Sequence, residues 1–182
     1  MSRIPLVSFS LSLMLSLGAF PGGELVAQTG APALDDATIV AIFDNANTAD
    51  IETGKLAARR GHSAEVRQFG AMLARDHEMV RQQGRDLARK LGVTPTPPKD
   101  DQSGKQQAAL IRRLNDLQGP EFDRAFLHHE ADFHRTVIAA IENTLLPAIE
   151  NQELKALVLK IAPAFQAHLE MAQNLSTRLA AK

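Results

Sequence analysis

The chain has 182 residues, 45 % hydrophobic and 23 % charged, which suits one domain of ordinary composition behind a leader. Lys and Arg number 20 against 21 Asp and Glu, a formal net charge of −1, which excludes the basic footprint of a nucleic-acid binder and any general attraction to anionic lipid. There is no cysteine, Trp or Tyr, which excludes disulfides, thiolate ligands, Fe–S clusters, a cysteine nucleophile, an N-terminal cysteine lipid anchor and base stacking by Trp or Tyr.

At the start, "MSRIPLVSFSLSLMLSLGAF" sets Arg3 ahead of a long apolar stretch, and "PGGELVAQ" follows with helix breakers and a small residue at Ala27. That order predicts a secretory signal peptide over 1–27, cleaved after Ala27. The rival, an uncleaved anchor, fits less well, because Pro21-Gly22-Gly23 cuts the run near the ~18-residue lower limit for a spanning helix. Residues 28–36 read as a flexible tether and 37–180 as the folded domain. No later run is long enough to span a bilayer, so the expected product is exported, periplasmic or secreted, with no integral membrane span after cleavage.

From Asp35 onward the periodicity is helical and strand signals are missing. A first helix is predicted over about 35–60, with Ile39, Ile42, Ala46, Ala49, Thr53 and Leu56 on one face, Asp35 and Asp36 at its start and Gly61 at its end. A second spans about 62–91, with Val66, Phe69, Leu73, Val80, Gly84 and Leu87 in line, stopped by Gly92. The proline-rich "TPTPPKDDQSGK" leads to a short helix at about 104–118. A fourth, about 120–145, opens at Gly119-Pro120 and is interrupted by Pro147; a fifth, about 150–180, contains Pro163, where a kink is expected. Short links make helices one and two, and four and five, antiparallel. The long stretch 92–119 can carry the chain back so that helices two and four run parallel. The predicted fold is all-α: a ferritin-like four-helix bundle whose long crossover carries a short extra helix, the alternative being a plain up-down bundle with the short helix packed on one end.

Polar residues on the apolar stripes are the candidates for function. At 100° per residue, His77 falls between Leu73 and Val80, His134 and Glu130 share the face of Phe126 and Val137, and His168 lies between Phe165 and Ala172. His128 points away, His129 and Asp76 lie at edges, and His62 reads as a solvated turn residue. His77 and His134 are each ~22 Å from the start of their helices. Glu130 is nearly level with His168, and Glu52, at the margin of its own face, falls within about a turn of that layer. The expected pocket is thus Glu52, His77, Glu130, His134 and His168. Such a set suits one transition metal, Zn, Mn or Fe. It departs from the Glu-x-x-His pairs of di-metal bundles, because Glu130 and His134 are four apart and carboxylates are few. Two blander readings stay open: a structural hydrogen-bond network, and boundary positions with no shared site. In "GPEFD" (119–123), Pro120 is expected to start its helix and Asp123 to favour that helix's first turn. "RQQGRDLARK" reads as a solvated face. No Gly-x-Ser-x-Gly elbow, Walker A or dinucleotide pattern is present, so no catalytic residue is assigned and an enzyme is not the expected reading.

The stretches "ADIETGKLAARRGHSAEVRQFGAMLARDHEMV" (49–80), "LQGPEFDRAF" (117–126), "ADFHRTV" with His134, and "APAFQAHLEMA" (162–172) resemble a bacterial family of exported proteins of unknown function. The likeness covers roughly 37–178 and rests on the order and spacing of Asp76-His77, the 119–123 segment, His134 and His168-Leu169. It implies a ferritin-like helical fold. Members are often labelled outer-membrane proteins, but barrel strands and a spanning helix are both missing from the mature segment. A periplasmic or loosely envelope-associated protein is the expectation, with envelope proteins or a second copy of the chain as candidate partners. Glu130 departs from the family pattern, where an apolar or small residue is expected.

Overall fold

A computed structural model describes residues 34–181; the predicted leader and the tether before Leu34 lie outside the described residues. The elements are α1 (Asp36–Arg60), α2 (Ala64–Leu91), α3 (Ser103–Asn115), α4 (Gly119–Ala140), the short α5 (Leu146–Ala148) and α6 (Gln152–Ala180). A single wide π-helical turn, Ile141–Leu145, joins α4 to α5. The described residues contain no strand.

Local chemistry sets the boundaries. The Asp35 carboxylate accepts the Thr38 N–H at 2.7 Å and starts α1, Ser63 accepts from Val66 at the start of α2, and Asn151 accepts from Glu153 and Leu154 at the start of α6. Gly92 ends α2 at φ +66°, a conformation that side chains other than glycine's rarely adopt. Pro147 does not interrupt the helix as expected: helical residues continue from α4 through the π turn and Pro147 to Ala148, and the chain turns extended at Ile149; Pro163 lies inside α6, which continues through it. The end of the predicted tether is engaged with the bundle. Leu34 packs on the core, and Asp36 accepts the N–H groups of Glu150 and Asn151 at 3.1 and 2.9 Å.

α1 and α2 form one antiparallel hairpin and α4 and α6 another. The Phe69 ring meets Phe126 at 5.9 Å and the His77 ring meets His134 at 5.6 Å. Residue numbers rise together across both contacts, so α2 and α4 run parallel. The segment between α2 and α4 is therefore a long crossover, and it carries α3 as a short extra helix. α3 lies over α1 and α4: Gln107 donates to the Ala49 carbonyl and Thr53, and Leu114 is buried beside Phe122. The result is an all-α bundle with α1 diagonal to α6 and α2 diagonal to α4.

Two apolar clusters fill the interior. One gathers Ile39, Phe43, Ala88, Ile141, Val158 and Phe165; the other gathers Leu56, Phe69, Leu73, Phe122, Phe126 and Leu175. Between them lies a layer of buried polar groups: Asn47, Asp50, His77, Glu130, His134 and His168. Among the described residues no helix is long and apolar enough to cross a membrane.

Candidate functional site

Each polar group of this layer sits on the inward stripe of its helix. On α2 the stripe runs Val66, Phe69, Leu73, His77, Gly84 and Ala88; on α4 it carries Phe122, Phe126, Glu130, Phe133 and His134; on α6 it runs Ile161, Phe165, His168 and Ala172. α1 supplies Asn47 and Asp50 between Phe43 and Gly54. The three imidazoles converge, with ring centroids 5.6 Å apart for His77 and His134, 5.1 Å for His77 and His168, and 5.3 Å for His134 and His168. One nitrogen from each lies within 4.8 Å of the others, and donor atoms of Asp50, Glu130 and His134 likewise lie within 4.8 Å of one another.

Hydrogen bonds on the far sides of the rings determine where the protons sit. The Asn47 side-chain N–H donates to the Phe43 carbonyl at 2.8 Å, so its oxygen faces His77 Nδ1 at 2.9 Å and requires a proton there. His134 Nδ1 donates to the Glu130 carbonyl at 2.9 Å, and His168 Nε2 donates to Asp76 Oδ2 at 3.4 Å. That leaves bare lone pairs on His77 Nε2, His134 Nε2 and His168 Nδ1. None of these nitrogens has a hydrogen-bond partner among the described residues, and the facing carboxyls of Asp50 and Glu130 have only each other, through a shared proton. His77 Nε2 faces Asp50 Oδ2 at 3.3 Å, acceptor against acceptor. Only a positive charge between them, a proton or a cation, relieves that opposition.

The electrostatics follow from burial. Burial, followed by the neighbouring imidazoles His134 and His168, holds His77 well below the ordinary histidine range. Burial also lowers His134, to about 3, and His168, against which the Asp76 carboxylate pulls upward. All three are neutral near pH 7, as ligand histidines must be. Burial raises Asp50 to about 8 and, with the neighbouring Asp50 carboxylate adding to it, pushes Glu130 well above the usual range. Without a cation this pair keeps at least one proton at neutral pH.

His77, His134, His168 and Glu130, predicted from the sequence, are therefore brought together. Glu52 is not: its side chain is exposed on the outside of α1, 3.3 Å from Gln107 Nε2. The carboxylate that α1 turns inward is Asp50, 200° away around the helix. The error has a physical origin. α1 packs against α2, α3 and α4 together, so its buried residues spread around the cylinder and blur the phase of the stripe. Ile39, Phe43, Asn47, Asp50, Gly54 and Ala57 do recur every three or four residues, and that register would have identified Asp50 and Asn47.

Asp123 also differs from expectation. It is buried and serves the turn between α1 and α2, accepting the His62 and Ser63 N–H groups at 2.7 and 2.8 Å. His128 lies on the outer face with Asp132, and His62 is exposed, as expected. His129 is half-buried against Phe133, and burial lowers it to about 4.

The orphaned atoms fit a cation. Three imidazole nitrogens and the Asp50 carboxylate supply four donors from four helices, Glu130 adds a second carboxylate, and the outer nitrogen of every imidazole is held by an oxygen, the arrangement that orients metal-binding histidines.

Residues 23–175 match the family described as "Domain of unknown function (DUF4142)", and the chain belongs to that family. Among curated proteins none matches the chain. A crystal structure of a DUF305 fragment from Deinococcus radiodurans has a similar fold, with a TM-score of 0.68 at 15 % identity, covering 78 % of this chain and 95 % of the fragment.

Proposed function

We propose that this DUF4142 protein binds a single divalent transition ion, Zn, Mn or Fe, within its bundle, through His77 Nε2, His134 Nε2, His168 Nδ1 and Asp50, with Glu130 as an adjacent fifth donor. The reading is supported by one observation above the rest: three bare imidazole nitrogens and two buried carboxyls, from four helices, turn toward one another, and the carboxyls have only each other to share a proton with. A self-contained hydrogen-bond network, the competing reading, would leave few such orphans. Thiolate is not available, which disfavours thiophilic ions, and mixed imidazole and carboxylate donors suit borderline first-row divalents. Such an ion would neutralise the facing carboxylates and tie the α1–α2 hairpin to the α4–α6 hairpin. With no nucleophile or cofactor motif assigned, the role is metal handling or metal-dependent stability. The signal-peptide pattern at 1–27 supports a periplasmic or loosely envelope-associated location.

Elemental analysis of protein purified without a His tag tests this. About one ion per chain is expected. At a free-metal concentration a thousandfold above Kd, the metal should raise unfolding free energy by about 4 kcal/mol, an effect lost in His77→Ala and His134→Ala. Metal at background level, together with a melting temperature unmoved by Zn, Mn or Fe, refutes it. If those variants melt early while chelator changes nothing, the imidazoles are structural instead.

A further inference from the structure

Taking that metal reading as its premise, the packing around the layer points to a route in. Along the bundle axis the two apolar clusters close the site, with Phe165 on one side and Phe69 and Phe126 on the other. Four seams between neighbouring helices remain. Between α1 and α2 the backbones touch: a Cβ on Gly54 would lie 2.7 Å from the Gly70 carbonyl oxygen. Between α1 and α4, Asp50 and Glu130 are fully buried, and α3 packs against both helices. The shallow depression between α4 and α6 is lined by Leu127 and Ala131 but by no site residue, and His134 of α4 has no exposed surface.

The α2–α6 seam differs. The His168 side chain is 7 % exposed and its partner Asp76 is 26 % exposed. His168 connects the two environments: Nε2 faces the surface carboxylate at 3.4 Å, while Nδ1 is buried and faces the site. Of the three oxygens that hold the imidazoles, those of Asn47 and Glu130 are neutral and buried, and only Asp76 carries charge to the surface. Its other oxygen, Oδ1, is held by Arg75 at 3.0 Å, so Oδ2 is the one turned to His168.

We infer that the ion enters and leaves between α2 and α6, and that Asp76 is the capture carboxylate that meets the hydrated divalent cation before His168 passes it inward. Arg75 is the competing cation at this mouth. Asp76 is not a ligand of the seated ion; its charge acts on passage.

Stopped-flow uptake of Co(II), followed by its visible absorption and paired with equilibrium titration, tests the assignment. Asp76→Asn keeps an oxygen for the His168 N–H but removes the charge. It should slow uptake about tenfold and release by a similar factor, leaving Kd within about threefold. Arg75→Gln should accelerate uptake. Glu78→Gln, two residues on and about 200° around α2 from Asp76, where it pairs with Lys55, should leave the rate unchanged. An Asp76→Asn uptake rate within about twofold of wild type overturns the portal, as does a weakened Kd arising from faster release alone, the signature of a purely orienting residue. Co(II) failing to bind the wild-type protein is a different outcome: it removes the metal reading, and the portal with it.

Discussion

The Asp123 carboxylate belongs to α4 but satisfies two backbone donors of the α1–α2 turn, His62 at 2.7 Å and Ser63 at 2.8 Å. Hydrogen bonds to a charged acceptor contribute about 1.5–3 kcal/mol each, so Asp123→Ala should lower stability by about 3 kcal/mol, read as a reduced urea midpoint, without altering metal stoichiometry in the folded protein. Asp50 should behave in the opposite way. Asp50→Asn removes a buried carboxylate that opposes a bare nitrogen, so the metal-free protein should unfold later at about pH 8 while metal-linked stabilisation disappears. Glu52→Gln should change neither. These residues also show how far the sequence reached. His77, His134 and His168 were legible because α2, α4 and α6 each have a stripe narrow enough to give a phase. Asp50 was not, because α1 is covered on several sides. Asp123 was not, because its partners lie sixty residues away in the chain.

At the scale of elements, the hairpins and the parallel run of α2 and α4 could be read from helical periodicity and the lengths of the links. The crossing of α1 over α2 could not. A glycine inside a helical pattern reads as a local weakness, costing about 1 kcal/mol against alanine. Here Gly54 and Gly70 allow the two backbones to touch: an added Cβ on either would lie 2.7 Å from the other's carbonyl oxygen. Backbone cannot rotate away as a side chain can, so steric cost outweighs propensity. Gly54→Ala should destabilise by about 1–3 kcal/mol rather than stabilise by about 1, which thermal unfolding distinguishes by sign. The same change should weaken metal-linked stabilisation, because the α1–α2 spacing sets the distance from Asp50 and Asn47 to His77. The π-helical turn at Ile141–Leu145 had no signal in the periodicity, which registers which residues face inward and not how the backbone bonds.

Across the whole molecule, two sets of groups resist their ordinary charge states, and they act on stability in opposite pH ranges. Burial holds Asp50 at about 8 and Glu130 well above its usual range, whereas unfolded carboxyls ionise near 4. From about pH 6.5 to 8 the folded, metal-free protein therefore binds more protons than the unfolded chain, and its stability should fall as pH rises. Below about 6.5 the sign reverses. Unfolded histidines take up protons that His77, His129, His134 and His168 refuse, and these imidazoles outnumber the two carboxyls. Each excess proton changes stability by about 1.4 kcal/mol per pH unit, so the urea midpoint of metal-free protein should peak near neutrality and drop on both sides. A bound divalent ion takes the place of the carboxyl protons and requires neutral imidazoles. Saturating Zn or Mn should therefore flatten or invert the alkaline limb and leave acid as the destabilising direction. Midpoints at about pH 5, 6.5 and 8, with metal and with chelator, separate the cases. A metal-free midpoint that climbs from 6.5 to 8 would mean the carboxyls are ionised in the fold, and the opposed lone pairs around Asp50 would then need a different explanation. Superimposable profiles with and without metal would mean that protons alone hold the layer together.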